Sequence, residues 1–267
     1  MARYPPTMID YLSTLQRESN RIAVLTREAD RNAPVPTCPE WTVADLIWHV
    51  TEVQYFWATV VESLLQDPET IPQLVRPEDR DLSELFAQQS VRLHDALERR
   101  NAEDSCWSWH DDGRSVGWVR RRQAHEALIH RVDAEIATNS RTPVERDLGA
   151  DGVDEILRVN IDLGKLPEWA AFHKDGTSAR VETSDGLAAW SMNFGRFVGS
   201  SPVSGNDYDF VAAELTSTIS EPTVIIRGTP EDLDLWLWGR GSLDLLSISG
   251  DPRIAEKLRE AAAEATQ

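Results

Sequence analysis

Three side chains of metal-binding types are spaced so that they could meet in the folded chain: His49, Glu126 and His130. Glu126 and His130 are four residues apart, and on an α-helix this spacing places both side chains on one face. His49 lies in a different apolar segment, so it could approach the pair from a facing helix. Two imidazoles and one carboxylate are the donor set of many catalytic zinc sites, which leave a fourth position open. The pattern therefore indicates either a site for zinc, or for another divalent metal, that takes part in chemistry, or polar residues with only a structural role in the helices.

Four amphipathic segments in the first part of the chain could position these side chains. Apolar residues recur at helical intervals over residues 7–31, from residue 42 to a Pro-containing linker at 67–76, and over residues 82–99 and 116–138. Four helices of similar length predict a bundle, and bundles build metal sites from side chains on facing helices. Because His49 shares a helix face with Leu46 and Val53, we expect it to point inward.

The second helix carries its own start signal. Thr42 is expected to be the N-cap, Asp45 is placed to complete the cap, and Trp41 is expected to act as a hydrophobic staple. Cys38 precedes this signal, and no positioned base accompanies it in the sequence, so a nucleophilic role for it is not favoured.

The remaining histidines fit the metal set less well. His125 and His130 are five residues apart and point in directions that differ by well over ~100° around a helix, so one ion cannot bind both comfortably. No partner at ligand spacing was assigned to His94, His110 or His173, and they are interpreted as surface or loop residues. The predicted ligand set is therefore unchanged.

After residue 139 the pattern changes. Residues 140–152 are interpreted as a linker and residues 153–172 as a further helix. Strand-like segments at 179–183, 188–194, 223–227 and 245–249 then mix with helical segments at 230–239 and 252–265. We predict a two-domain chain: an N-terminal all-α four-helix bundle over residues 1–145 and a C-terminal α+β domain over residues 146–267.

Composition limits the partners and the compartment. The formal net charge of −18 argues against nucleic acid and anionic membranes, which need a basic surface. Cys38 and Cys106 are too few for a disulfide framework, and the N-terminus lacks the apolar run of a signal peptide. We expect a cytoplasmic protein.

Three motifs, in order, give the chain a resemblance to a known family. They are CPEWTVADLIWH at 38–49, HEALIHRVD at 125–133 and LDLWLWGR at 233–240. The chain resembles the mycothiol-dependent maleylpyruvate isomerase family over nearly its whole length. The resemblance implies a DinB-like bundle, a C-terminal domain of sterol-carrier-like shape, and zinc bound by His49, Glu126 and His130. It also implies an arginine used in activity, for which Arg240 is the best match and Arg227 the alternative.

The resemblance further implies a zinc-dependent enzyme with mycothiol as cofactor or cosubstrate, and a small electrophile as substrate. A thiol on zinc is deprotonated, and its thiolate would add to the cis double bond of a maleylpyruvate-like substrate. Rotation about the resulting single bond and loss of the thiol would give the trans isomer. Arg240 would hold the substrate carboxylates, and Asp133 could orient a metal ligand. A thiol S-transferase would share the thiolate step.

Other interpretations stay open at this point. The bundle could hold a metal or a small apolar ligand without catalysis, or the open metal position could activate water in a thiol-independent hydrolase. The run Arg120–Arg122 could neutralise an anionic substrate near the metal, or form a solvated helix face.

Overall fold

The structure is a computed structural model that describes residues 9–110, 113–217 and 219–265, with side chains through residue 263. The chain divides into two compact units, Ile9–Thr142 and Pro143–Gln267. The predicted domain boundary between residues 145 and 146 remains a prediction. Within the described residues, every helix is too short or too polar to cross a membrane.

The first unit is a four-helix bundle. Its helices are α1 (Tyr11–Arg27), α2 (Val43–Ser63), α3 (Leu82–Glu98) and α4 (Val116–Ala137). Helix α2 packs mainly against α3, and α1 packs mainly against α4. The predicted all-α N-terminal fold is confirmed.

The first helix is shorter than predicted. Its first turn is capped by Asp10, whose Oδ1 accepts a hydrogen bond of 3.1 Å from the backbone N–H of Ser13. The predicted start at Thr7 lies outside the described residues. Helix α1 ends at Arg27, and the carbonyl of Arg31 then accepts a hydrogen bond from the N–H of Ala44 at the start of α2. The residues after Arg27 therefore form hydrogen bonds with the start of α2 instead of continuing the helix.

The start of α2 is confirmed as predicted. Thr42 is the N-cap and accepts a hydrogen bond from the N–H of Asp45, while Asp45 Oδ2 accepts one from the N–H of Thr42 at 3.0 Å. This reciprocal capping box satisfies two backbone donors that the helix itself cannot pair. It fixes the first turn of α2, and His49 follows in the next turn.

The second unit contains a five-stranded mixed sheet with the order β3-β2-β1-β4-β5. The strands are β1 (Ala170–Thr183), β2 (Ala189–Ser200), β3 (Asp207–Thr216), β4 (Val224–Gly228) and β5 (Ser247–Gly250). Within this sheet β1 and β4 pair in parallel, and the other three neighbouring pairs of strands are antiparallel. Helices α5 (Arg146–Glu155), α6 (Pro230–Leu237) and α7 (Pro252–Ala265) complete the unit. The predicted α+β class is confirmed.

The predicted linker at 140–152 extends too far, and the predicted helix at 153–172 begins too late and runs too long. Helix α5 already begins at Arg146, a π-helical segment follows at Ile156–Ile161, and residue 172 lies in β1. Two glycines caused the error. A Cβ at Gly149 would stand 3.1 Å from the backbone of Pro230, and one at Gly152 would overlap the carboxylate of Asp234. These glycines are sites of close approach to α6, not helix breakers.

Candidate metal centre

The bundle brings the three predicted ligands together. His49 projects from α2, and Glu126 and His130 project from consecutive turns of α4. The Nε2 atom of His49 lies 3.3 Å from Glu126 Oε1, and the Nε2 atom of His130 lies 3.2 Å from the same oxygen. One ligand atom from each residue lies within 4.8 Å of the others. Two imidazole nitrogens and one carboxylate oxygen therefore converge on a single point.

Asp133 holds His130 from behind. Its carboxylate is fully buried, and Oδ2 lies 3.0 Å from His130 Nδ1. The hydroxyl of Thr37 donates a 2.6 Å hydrogen bond to Oδ1, and Cys38 Sγ lies 3.8 Å from Oδ2. When the ring is neutral, a carboxylate at Nδ1 holds the proton on that nitrogen and leaves the lone pair on Nε2. Nε2 is the nitrogen that faces Glu126.

Arg122 holds Glu126 in a comparable way. Its Nη2 donates a 2.6 Å hydrogen bond to Glu126 Oε2, one helical turn away, and only 5% of the Arg122 side chain is exposed. Oε2 is thereby engaged, and Oε1 faces the histidines. Arg120 donates to the carbonyls of Leu97 and Arg100. Arg120 and Arg122 are thus paired within the bundle, and the two interpretations of the run Arg120–Arg122 remain predictions.

The electrostatics of the cluster favour a cation. Burial alone would raise the pKa of Glu126, but hydrogen bonds from His130 and His49 and the charge of Arg122 outweigh it and hold that pKa well below its usual range. Burial alone would lower the pKa of His130. Its hydrogen bonds with Asp133 and Glu126 outweigh this effect and raise the pKa to about 9. Two carboxylates thus stabilise positive charge at His130.

Trp41 forms one wall of the cluster. Its ring centroid lies 4.7 Å from that of His49 and 6.0 Å from that of His130. The residue predicted as a hydrophobic staple also packs against the two imidazoles. The other wall is incomplete, because 35% of the His49 side chain and 20% of the Glu126 side chain remain exposed.

The other histidines differ in their settings. His125 is buried, and its ring lies 6.3 Å from that of Tyr11 on α1, in keeping with its predicted divergence from His130. His94 lies on the surface of α3 as predicted, but it does have partners at ligand spacing, because ligand atoms of His94, Asp95 and Glu98 lie within 4.8 Å of one another. The His94–Glu98 pair has the same four-residue spacing, which the sequence interpretation overlooked. All three residues come from the outer surface of one helix, and Glu98 is exposed.

The candidate arginines lie in the second unit. Arg240 follows α6, and its Nη1 donates a 2.6 Å hydrogen bond to the carbonyl of Trp238. Arg227 lies on β4 and forms an ion pair with Glu182 of β1, with 2.8 Å between Nε and Oε1. The Arg227 charge is balanced by this cross-strand partner, and Arg240 stays the assignment that the sequence motif favours. Its role remains a prediction.

The fold and the cluster define a class of protein: a helical bundle that gathers two histidines and a glutamate, followed by an α+β unit. The family model described as the mycothiol maleylpyruvate isomerase N-terminal domain matches residues 13–135. The model described as the MDMPI C-terminal domain matches residues 147–257. The two matches together span most of the chain, which therefore belongs to the mycothiol-dependent maleylpyruvate isomerase family.

Two crystal structures share the fold. One is the mycothiol-dependent maleylpyruvate isomerase, with 16% identity, a TM-score of 0.55, and coverage of 90% of this chain and 92% of that chain. The other is a histidine-to-alanine mutant of such an enzyme, with 15% identity, the same TM-score and the same coverage. At these identities the likeness shows the fold alone. No curated protein sequence matches the chain.

Proposed function

We propose that this protein is an enzyme that uses mycothiol, a low-molecular-weight thiol, at a zinc centre formed by His49, Glu126 and His130. Its family is named for a thiol-dependent isomerase. The observation that carries the proposal is the convergence of two Nε2 atoms on one oxygen of Glu126. A cytoplasmic location remains a prediction from the composition.

The residues present fit a divalent metal. The donor set matches that of catalytic zinc sites, and the lone pair of each Nε2 can be directed at the same point. Arg122 engages the second oxygen of Glu126, and Asp133 fixes His130. When bound, zinc would lower the pKa of a coordinated thiol enough to keep it as a thiolate. The partly exposed side of the cluster leaves room for that thiol.

The reaction we propose is cis–trans isomerisation of a small, maleylpyruvate-like electrophile. The thiolate sulfur forms a bond to one alkene carbon, and the π electrons move to the conjugated carbonyl as an enolate. Rotation about the carbon–carbon bond that was the cis double bond, followed by expulsion of the thiolate, restores the double bond in the trans form. Arg240 is proposed to hold a substrate carboxylate and to stabilise the enolate charge. An S-transferase would instead protonate the carbanion and keep the carbon–sulfur bond.

Metal content tests the centre directly. Wild type and Glu126→Gln would be purified without chelator and measured by elemental mass spectrometry. Glu98→Gln is the matched control, because Glu98 has the same spacing from a histidine on an exposed helix. We expect about one zinc per chain in wild type and in the control, and loss of zinc in Glu126→Gln. A wild-type protein that neither carries nor takes up zinc would contradict the proposal.

Turnover assays separate the functions that share this centre. Conversion of maleylpyruvate that depends on added mycothiol would support the isomerase. Turnover without any thiol would favour a metal hydrolase. Saturable thiol binding, measured by tryptophan fluorescence, without conversion of any electrophile would favour a non-catalytic binding protein.

A further inference from the structure

Arg259 on α7 is a half-buried cation without a counter-charge. Within the described part of the chain, its guanidinium makes no hydrogen bond and no ion pair, and its Nη1 atom is fully buried. A guanidinium carries five N–H donors in a fixed plane. Leaving a buried donor such as Nη1 unpaired is costly, so this arginine indicates a missing acceptor.

Gly239 makes room for this guanidinium. It has a φ of +76°, and a Cβ built there would overlap Arg259 Nη2 and stand 3.1 Å from Cζ. The left-handed backbone by itself favours glycine. The overlap adds a second reason, because any side chain at this position would displace Arg259. The turn that follows α6 is thus shaped around the arginine.

Arg240, the next residue along, brings a second positive charge. Burial lowers the pKa of Arg259, and the charge of Arg240 lowers it further. Carbonyl groups at the end of α6 attract cations, and Arg240 does bond the carbonyl of Trp238. Arg259 makes no such bond, so the helix end accounts for Arg240 but not for Arg259.

We propose that Arg259, together with Arg240, forms an anion-binding site in the second unit, and that its ligand is a carboxylate group of a small molecule. A planar guanidinium pairs with a carboxylate through two parallel hydrogen bonds. Phosphate shares this hydrogen-bonding chemistry, and the titration below distinguishes it from carboxylates. This inference deepens the proposed function, because Arg240 is the substrate arginine named there. Its test needs neither metal nor thiol.

The test compares two arginines of the same helix. Arg259→Gln removes the unpaired guanidinium, whereas Arg253→Gln removes one that is 83% exposed and bound to Asp251. Acetate, maleate and inorganic phosphate would be titrated into metal-free full-length protein at constant ionic strength, with binding followed by calorimetry. We expect saturable carboxylate binding that is about tenfold or more weaker in Arg259→Gln, the loss of a bidentate charged contact, and unchanged in Arg253→Gln.

Thermal unfolding distinguishes a binding role from a structural one. Without anion, Arg259→Gln should melt at or above the wild-type temperature, because an unpaired half-buried charge has been removed. Carboxylate should raise the melting temperature of wild type and Arg253→Gln only.

Three results would overturn the proposal. The first is a lower melting temperature of Arg259→Gln with unchanged carboxylate binding. The second is an equal loss of binding in Arg253→Gln, and the third is binding of phosphate without binding of carboxylates. A failure of zinc uptake would leave these measurements unaffected, so the two proposals fail separately.

Discussion

At the scale of single residues, the candidate metal centre depends on two side chains that are not proposed metal ligands but hold the ligands in place. Arg122 and Asp133 each occupy the far side of a proposed ligand: one bonds Glu126 Oε2, the other faces His130 Nδ1. Both contacts matter for metal binding. A free carboxylate can rotate, and an imidazole can present either of its two nitrogens to a metal. The contacts select which atom of each residue faces the cluster.

The contact between Asp133 and His130 gives the first prediction at this scale. Asp133→Asn keeps the shape but removes the charge behind His130, so we expect zinc affinity to fall by roughly 10- to 100-fold. Competition with a zinc-binding dye would measure it. Asp95→Asn, in the exposed cluster on α3, is the control and should leave the affinity unchanged. Equal affinities of wild type and Asp133→Asn would mean that Asp133 does not support a ligand.

The proposed metal ligands were easier to predict from the sequence than the residues that hold them by hydrogen bonds. His49, Glu126 and His130 were identifiable because their types and spacing are unusual on apolar helix faces. Asp133 was also visible, three residues beyond His130, where a helix brings side chains together. Thr37 carried no such signal, because it reaches Asp133 from a loop 96 residues earlier. Arg259 likewise meets the turn after α6 only through the tertiary fold.

At the scale of elements, the helices with caps and apolar stripes were predictable, and those shaped by packing were not. Helices α3 and α4 lie within one residue of their expected ends, and α2 begins as expected but ends at Ser63, before the predicted linker at 67–76. Helix α5 was missed because its glycines serve close contact with α6. Strand β3 was missed because it is an edge strand with few buried residues, so its apolar alternation is weak.

The capping box of α2 gives a prediction at this scale. The side chain of Thr42 and then that of Arg76 donate hydrogen bonds to Asp45, and together they lower its pKa from 3.8 to about 2. Because the folded-state pKa is depressed, the stabilisation is complete above about pH 4 and is lost as the pH falls towards 2. Asp45→Asn should therefore show a smaller loss of stability over this pH range than wild type.

Urea unfolding at neutral pH and at pH 3 would measure this effect. At neutral pH we expect Asp45→Ala to lower the free energy of unfolding by about 1 kcal/mol, the usual size of a lost helix cap. Asp79→Asn is the control, because Asp79 also bonds Arg76 but takes no part in the cap. If Asp79→Asn reproduced the whole effect, the Arg76 ion pair rather than the cap would be responsible.

At the scale of the whole molecule, the proposed chemistry divides between the two compact units. The three candidate ligands, Arg122 and Asp133 belong to Ile9–Thr142, whereas Arg240 and Arg259 belong to Pro143–Gln267. The first unit also has its own buried ion pairs, because Arg131 of α4 bonds Glu18 of α1 and Glu135 one turn further along α4. A substitution at Arg240 or Arg259 changes no residue of these ion pairs, because both arginines belong to the second unit.

This division gives the last prediction, which concerns Arg240 in the full-length enzyme. Arg240→Lys keeps the positive charge but loses the planar pair of donors, so a carboxylate or enolate would be held less well. We expect kcat/KM for mycothiol-dependent isomerisation to fall by roughly 10²–10³, the usual size of a lost donor to developing negative charge. Zinc content should stay at the wild-type level, because every candidate ligand lies in the other unit.

Arg227→Lys is the matched control, since its partner is Glu182. If Arg227→Lys reduced kcat/KM and Arg240→Lys did not, the alternative assignment of the substrate arginine would be correct.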